Sequence, residues 1–426
     1  MNHLLLTGVE VRGVILRHAI GVFGIALFSC SWKLWTPQVD FPQVPVLGLL
    51  VDAPLWLDWI ALSAVVMGLV GMAGLPQKQT GWIWWATTVF VVGLSVSILL
   101  DQHRLQPWAY QLLILSVFCL TMGPNRLLVC SRWLLVSIYL FSALSKFDYQ
   151  FAHTIGYQIA DALGQLAGMN VEWDADSKWA SGVSMAGFEL ITAILLAIPI
   201  KWFRWAGIFF AIALHIGLLL ALGPFGLNHY PPVLIWNLFF VLQVILLFLF
   251  DADFRGENRQ VFATPNRQQT LSAMVGVGVF WFAMLFPLTS YVGIADQWIS
   301  WELYSPRSSR LYLSVDSREL EIAVPQMDWQ QRSGVDWNQW SLDTLGVPVY
   351  PQARFQIGCG IAVVQKLPPR STFVFEVGTL SDRWGGERVT AESGSDRSAP
   401  PRRLEDLAEK YWLNVQPRGH FVLPTK

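Results

Sequence analysis

An all-α polytopic membrane domain of about nine transmembrane helices, followed by a small α+β, β-rich extramembrane domain, is the fold class the sequence predicts, and three observations carry it. Hydrophobic residues make up 54% and charged residues only 14% of the 426 positions, with 22 Trp and 26 Phe, a composition foreign to soluble globular chains. Apolar runs long enough to cross a bilayer recur through the first 291 residues. The charges are unevenly placed: residues 1–291 hold 14 Lys/Arg and 14 Asp/Glu, while residues 292–426 hold 15 and 16. Two solvents follow, lipid for 1–291 and water for 292–426.

A helix needs about 20 mostly apolar residues to span a hydrocarbon core of roughly 30 Å. The runs that qualify are 12–30, 55–75, 82–100, 107–123, 127–145, 182–200, 202–222, 231–250 and 270–291. With the N-terminus inside, the cytoplasmic side collects Arg12, Arg17, Lys78, Arg126, Arg132, Lys201, Arg204, Arg255, Arg259 and Arg267, and the outer side only Lys33, Arg104, Lys146 and Lys178. Cytoplasmic loops gather Lys and Arg, so the bias predicts N-in, C-out, with 292–426 exported. No Asn-x-Ser/Thr sequon occurs, and a bacterial inner membrane with a periplasmic C-terminal domain is the expected location. The apolar run after residue 12 lacks a small-residue cleavage site, which predicts a retained helix in place of a signal peptide. Trp82, Trp84 and Trp85 read as an aromatic belt.

The same arithmetic excludes several classes. A net charge of −1 gives no basic excess for gripping nucleic acid. Cys30, Cys119, Cys130 and Cys359 lie far apart with no CxxC, which leaves no disulfide framework, zinc site or redox dithiol, and no metal is expected.

Ionisable side chains at membrane depth cost several kcal/mol unless paired or wet, so each is a functional candidate. Glu189 lies seven residues into the sixth run and His215 seven residues before the end of the seventh, which puts both roughly 10 Å below the outer surface at about 1.5 Å per residue. Lys146 and Asp148 close the fifth run on that side. Asp101, His103, Arg104 and Trp108 open the fourth. Asn228, His229 and Tyr230 fill the outer loop before Pro231-Pro232. Together they predict a polar cavity opening outward. Each also has a plain reading: Lys146 snorkelling, Glu189 and His215 bonded to each other, Arg104 and Asp101 an interfacial ion pair. Residues 146–181 carry Ile155, Ile159, Leu163 and Leu166 at helical spacing, which predicts an amphipathic helix at the outer interface, followed by a solvated acidic loop at Glu172, Asp174 and Asp176.

The stretch from about 92 to 250 resembles the horizontally transferred transmembrane (HTTM) domain family, which includes the vitamin K-dependent gamma-carboxylase. The matching landmarks are Leu99-Leu100-Asp101 before a Tyr110-Gln111 helix, the segment Tyr139 to Asp148, and Gly187-Phe188-Glu189-Leu190 with Trp205-Ala206-Gly207 and Leu214-His215-Ile216-Gly217. The resemblance implies that Lys146 stands where the family's lysine acts as base on a reduced quinone; in the cavity read from the polar residues, Glu189 and His215 are expected to relay or polarise, and Tyr139, Arg104, Trp108 and His229 to surround a quinone or hydroquinone. An apolar pocket suits a lysine base, because desolvation penalises the ammonium, whereas Asp148 favours it. Gln106-Pro107-Trp108 stands where many members carry an Asn-His pair, and no segment matches a propeptide-binding region, so glutamate is not carried over as substrate.

In the C-terminal region, Leu311, Leu313, Val315 and then Leu320, Ile322, Val324 alternate as half-buried strands do. Residues 354–365 fit strand or helix, Thr372 to Val377 is a strand, 381–403 reads as a mobile loop, and Leu404 to Trp412 as a short amphipathic helix. This module is expected to gate or to bind an exported protein partner. Two functions compete: a membrane enzyme of quinone-dependent carboxylase-like or oxidoreductase-like chemistry on a quinone-like or lipid-like molecule, and a non-enzymatic scaffold similar to DoxX-like membrane proteins. A transporter ranks last, since no internal repeat or pair of broken helices is visible.

Overall fold

The computed structural model describes residues 8–249, 270–316, 334–368, 371–395 and 404–423. Arg255, Arg259, Arg267, the alternating run Leu320, Ile322, Val324 and the 396–403 part of the expected loop lie outside them.

All nine apolar runs form helices: α1 Gly8–Cys30, α2 Trp56–Gly74, α3 Thr80–Leu100, α4 Pro107–Thr121, α5 Pro124–Lys146, α6 Tyr157–Leu166 (the interfacial candidate), α7 Ala175–Ala197, α8 Lys201–Leu222, α9 Pro231–Val244 and α10 Thr270–Leu285. Eight of the nine are long and apolar enough to cross a membrane, counting α9 through Leu249 and α10 through Val292. The exception is α4. Its 15 residues span about 22 Å at 1.5 Å per residue, short of a hydrocarbon core, because Pro107 starts it and the turn into Gly123-Pro124 ends it. The chain is a multi-pass membrane protein.

Local chemistry sets the ends. Pro124 opens α5, Asp174 accepts from Ser177 N to cap α7, and Pro231-Pro232 start α9. Asp174 therefore closes a helix end in what reads as an acidic loop. Asp148 likewise caps a helical turn by accepting from Phe151 N at 3.1 Å. That turn runs through π-wound Ala152–Gly156 into α6, whose Ile159 and Ala162 bury against Ala221 and Leu222 of α8. Gly182 of α7 is required at this crossing, since a Cβ there would lie 2.5 Å from Ala152.

The chain divides into two compact units, residues 1–27, 64–92 and 107–305, and residues 28–63, 93–106 and 306–426. In the first, α5 is the central helix: 83% of its apolar stretch is buried, against 28–56% for the other seven spanning helices. It packs on α7, and α8 packs on both α7 and α9. Elsewhere the helices show apolar faces outward, Trp82, Trp84, Trp85, Phe209 and Met274 among them.

The second unit is built on an antiparallel sheet in the order β1 Arg310–Asp316, β2 Thr372–Gly378, β3 Thr390–Ser395. The helices α11 Trp337–Leu345 and α12 Ala353–Gln365, of 9 and 13 residues, stand beside strands of 6 and 7 residues, so α-helix matches strand among the described residues of 306–426. The ambiguous run 354–365 is helix. It is buried all round, which erases the one-sided period that would have identified it. Gly358 lets the Val415 carbonyl approach to 2.6 Å of where a Cβ would stand. Part of the expected loop is β3, whose Ser and Gly residues are held by backbone pairing to β2, with Glu376 opposite Ser393. Leu404–Lys410 is a 3₁₀ helix in place of an α-helix. The unit also takes in the loop between α1 and α2: Asn414, Arg418 and Val422 donate their backbone N–H groups to Val46, Gln43 and Val39, respectively.

Candidate functional site

α5 ends the first unit's polar stripe. Tyr139, Ser142 and Lys146 recur at i, i+3 and i+7, so they share one face of the helix. Lys146 Nζ donates to Ser142 Oγ at 2.5 Å, one turn back, and to Glu189 Oε2 of α7, also at 2.5 Å. Both side chains of this ion pair are about nine-tenths buried, at 11% and 10% exposure. Higher on the same face, Tyr139 Oη lies 2.7 Å from His215 Nε2 of α8. His215 Nδ1 lies 2.8 Å from Asn237 Oδ1 of α9, and Asn237 Nδ2 donates to the Val233 carbonyl at 2.8 Å. Phe240 stacks on the His215 ring with centroids 4.7 Å apart.

These groups form the polar wall of a cavity of about 50 Å³. The remaining wall is apolar, with Ile138, Ile159, Met185, Leu214, Leu218, Trp236 and Phe240, and Leu303 and Tyr304 cover it. The cover is strained: Trp301 and Tyr304 hold φ of 59° and 60°, a region bulky side chains avoid. Trp301 is held there by stacking on Tyr110 at 4.9 Å.

Of the residues singled out in the sequence, Lys146, Glu189, His215 and Tyr139 meet at this cavity. Glu189 bonds Lys146 and not His215. Asp148 serves as a helix cap. Trp108 is buried in α4 and His229 is exposed between α8 and α9, and neither lines the cavity. Arg104 belongs to the second unit, at 0% exposure, where it donates to the Leu34 and Thr36 carbonyls at 3.0 Å each and pairs with Asp58 at 2.6 Å. Asp101 is not its close ion-pair partner. Asp101 accepts instead from His103 N and Val44 N. Burial raises the Asp101 carboxyl to about 6 and lowers His103 to about 4.

Two residues escaped the sequence reading. Asn237 is an uncharged amide in an apolar helix, and a search for ionisable groups passes over it. Asp58 sits near the start of an apolar run, where an acid reads as a helix-end residue. Among the described residues no group of His, Cys, Asp and Glu is arranged to hold a metal ion. Comparison with protein-family models, with curated proteins and with solved structures finds no match.

Proposed function

We propose that this protein is a membrane enzyme resembling the vitamin K-dependent gamma-carboxylase family, in which the cavity takes the ring of a quinone-like or lipid-like molecule and Lys146 acts as base. The observation that carries this reading is the Lys146–Glu189 pair on the wall of a cavity inside an apolar helix bundle. A buried ion pair is weak evidence of stability, because an apolar pair of the same shape serves the fold as well. One retained at membrane depth is a functional marker. Glu189 gives the lysine a partner to pass its proton to, and Ser142 fixes the ammonium's position.

The size of the cavity sets a condition. A cavity of roughly 150 Å³ takes a benzene ring in a protein interior, about three times what is open here. Entry of a ring therefore requires Leu303 and Tyr304 to move, and the strained backbone at Tyr304 favours that. The orientation N-in, C-out in a bacterial inner membrane belongs to this reading and rests on the Lys and Arg bias of the loops. An exported protein partner for 292–426 belongs to the same reading.

The test is mass spectrometry of molecules co-purifying with the protein in nanodiscs, followed by quinone titration of wild type, Lys146→Met and His215→Ala. Saturable quinone binding that weakens tenfold or more in both variants, with folding intact, supports the reading. If no ring compound binds to the wild type, the enzyme reading falls and the scaffold similar to DoxX-like proteins takes its place.

A further inference from the structure

We infer that Tyr139 is a second group, beside Lys146, that exchanges a proton with the occupant of the cavity, with His215 Nε2 as the base behind it and Asn237 as the residue that holds this base in the required tautomer. The inference deepens the reading above and rests on it only for the occupant's location.

The direction of the hydrogen bonds follows from one fixed point. A backbone carbonyl only accepts, so the Asn237 atom 2.8 Å from the Val233 oxygen is the amide nitrogen. Asn237 Oδ1 then faces His215, and Nδ1 at 2.8 Å carries the proton that it accepts. A neutral imidazole protonated at Nδ1 has a bare Nε2. Tyr139, 2.7 Å away, must donate to it. The chain runs one way, from Tyr139 through His215 and Asn237 to the Val233 carbonyl, and Phe240 stacked on the ring holds its plane. Tyr139 oxygen is left with its lone pairs as an acceptor at the cavity wall. Lys146, by contrast, has two of its three donors committed to Glu189 and Ser142 and, as an ammonium, no lone pair with which to accept.

The step this wiring supports balances without an oxidant. An occupant's O–H gives its proton to Tyr139 oxygen as the tyrosine's own proton moves to His215 Nε2. The O–H bond of the occupant breaks and an N–H bond forms, while Tyr139 is a neutral phenol before and after. The occupant becomes an oxyanion and His215 an imidazolium whose Nδ1–H Asn237 still holds. Run backward, the chain delivers a proton to an oxyanion. The occupant's class is thus an apolar molecule with one acidic hydroxyl, a phenol or an enol.

The experiment uses the full chain in nanodiscs with ring-¹⁵N histidine, the His215 signals being assigned by their loss in His215→Gln. Without ligand, His215 is expected as the neutral Nδ1–H tautomer in wild type and Asn237→Asp, and as a mixture in Asn237→Leu. The probe is 4-nitrophenol, held one pH unit below its own ionisation, so that colour reports proton loss on binding. Saturable binding with phenolate colour and a second protonated nitrogen on His215 is expected. The colour should fall at least tenfold in Tyr139→Phe and Asn237→Leu and return in Asn237→Asp, a rescue that a merely structural asparagine would not give.

A wild-type His215 protonated at Nε2, or phenolate colour unchanged in Tyr139→Phe, overturns the inference. If quinones bind and depend on Lys146 while His215 stays neutral with 4-nitrophenol bound, the proton chain is wrong and the proposed function stands. If neither probe binds saturably to the wild type, both fall.

Discussion

Two buried carboxylates, Asp58 and Glu189, each hold basic side chains, and the difference between them separates a staple from a site. Asp58 is at 0% exposure and takes Arg104 on one oxygen at 2.6 Å and Arg418 on the other at 2.8 Å. The arginines' other donors reach Gln43 Oε1 and the carbonyls of Leu34, Thr36 and Ala53. Planar guanidinium groups held at once by a carboxylate and by carbonyls from distant loops have little freedom to act. Glu189 holds a lysine instead, a point charge on a flexible stem, beside open volume. Burial alone does not distinguish the two. The cation's geometry and the adjoining space do.

The largest effect is expected from Asp58→Ala, which strands two arginines in a sealed interior and should destabilise the second unit by roughly 3–5 kcal/mol, read by thermal unfolding in detergent and by protease sensitivity of the C-terminal region. A loss under about 1 kcal/mol would erase the distinction drawn here.

Next comes a pH effect around Asp101 and His103. His103 is lowered to about 4 against an unfolded value near 6.5, so the unfolded chain binds the extra proton and stability falls as pH drops through that window. Asp101 is raised to about 6, so the folded chain holds the proton and stability rises as pH drops from about 6 toward 4. The two trends oppose, and wild type should be nearly flat from pH 6.5 to 4. Asp101→Asn leaves the histidine's trend alone and should lose about 3 kcal/mol across that range, whereas a flat profile in the variant would show that His103 charges freely in the fold.

Glu189→Gln is expected to cost less than Asp58→Ala, on the order of 1–3 kcal/mol, because the remaining Lys146 keeps Ser142 and some solvent access. Equal losses at the two sites would make Glu189 a second staple. His229→Ala should stay within about 0.5 kcal/mol and leave quinone titration unchanged, since the side chain is exposed and outside the cavity.

The helices were legible because membrane insertion is a local requirement: twenty apolar residues declare themselves whatever they pack against. Strands β1 and β2 were legible for the same reason, their alternation being local, as Leu311 and Leu313 show by facing inward together. Helix α12 was not, since burial on every side removes the period, and β3 was not, since its order comes from pairing with β2. Within the site, the sequence picked Lys146, Glu189 and His215 because charge in an apolar run is conspicuous.

What the sequence alone determined is the list of groups that do not belong in lipid and the helices that carry them. Only the tertiary structure decided who meets whom. Glu189 turns to Lys146 and His215 to Tyr139 and Asn237 because the rotation of α5, α7, α8 and α9 about their axes is fixed by packing. Asp58 finds Arg418 across 360 positions because the C-terminal chain pairs its backbone with residues 39–46. Rotational phase and long-range pairing depend on the whole set of contacts at once, and no window of sequence contains them.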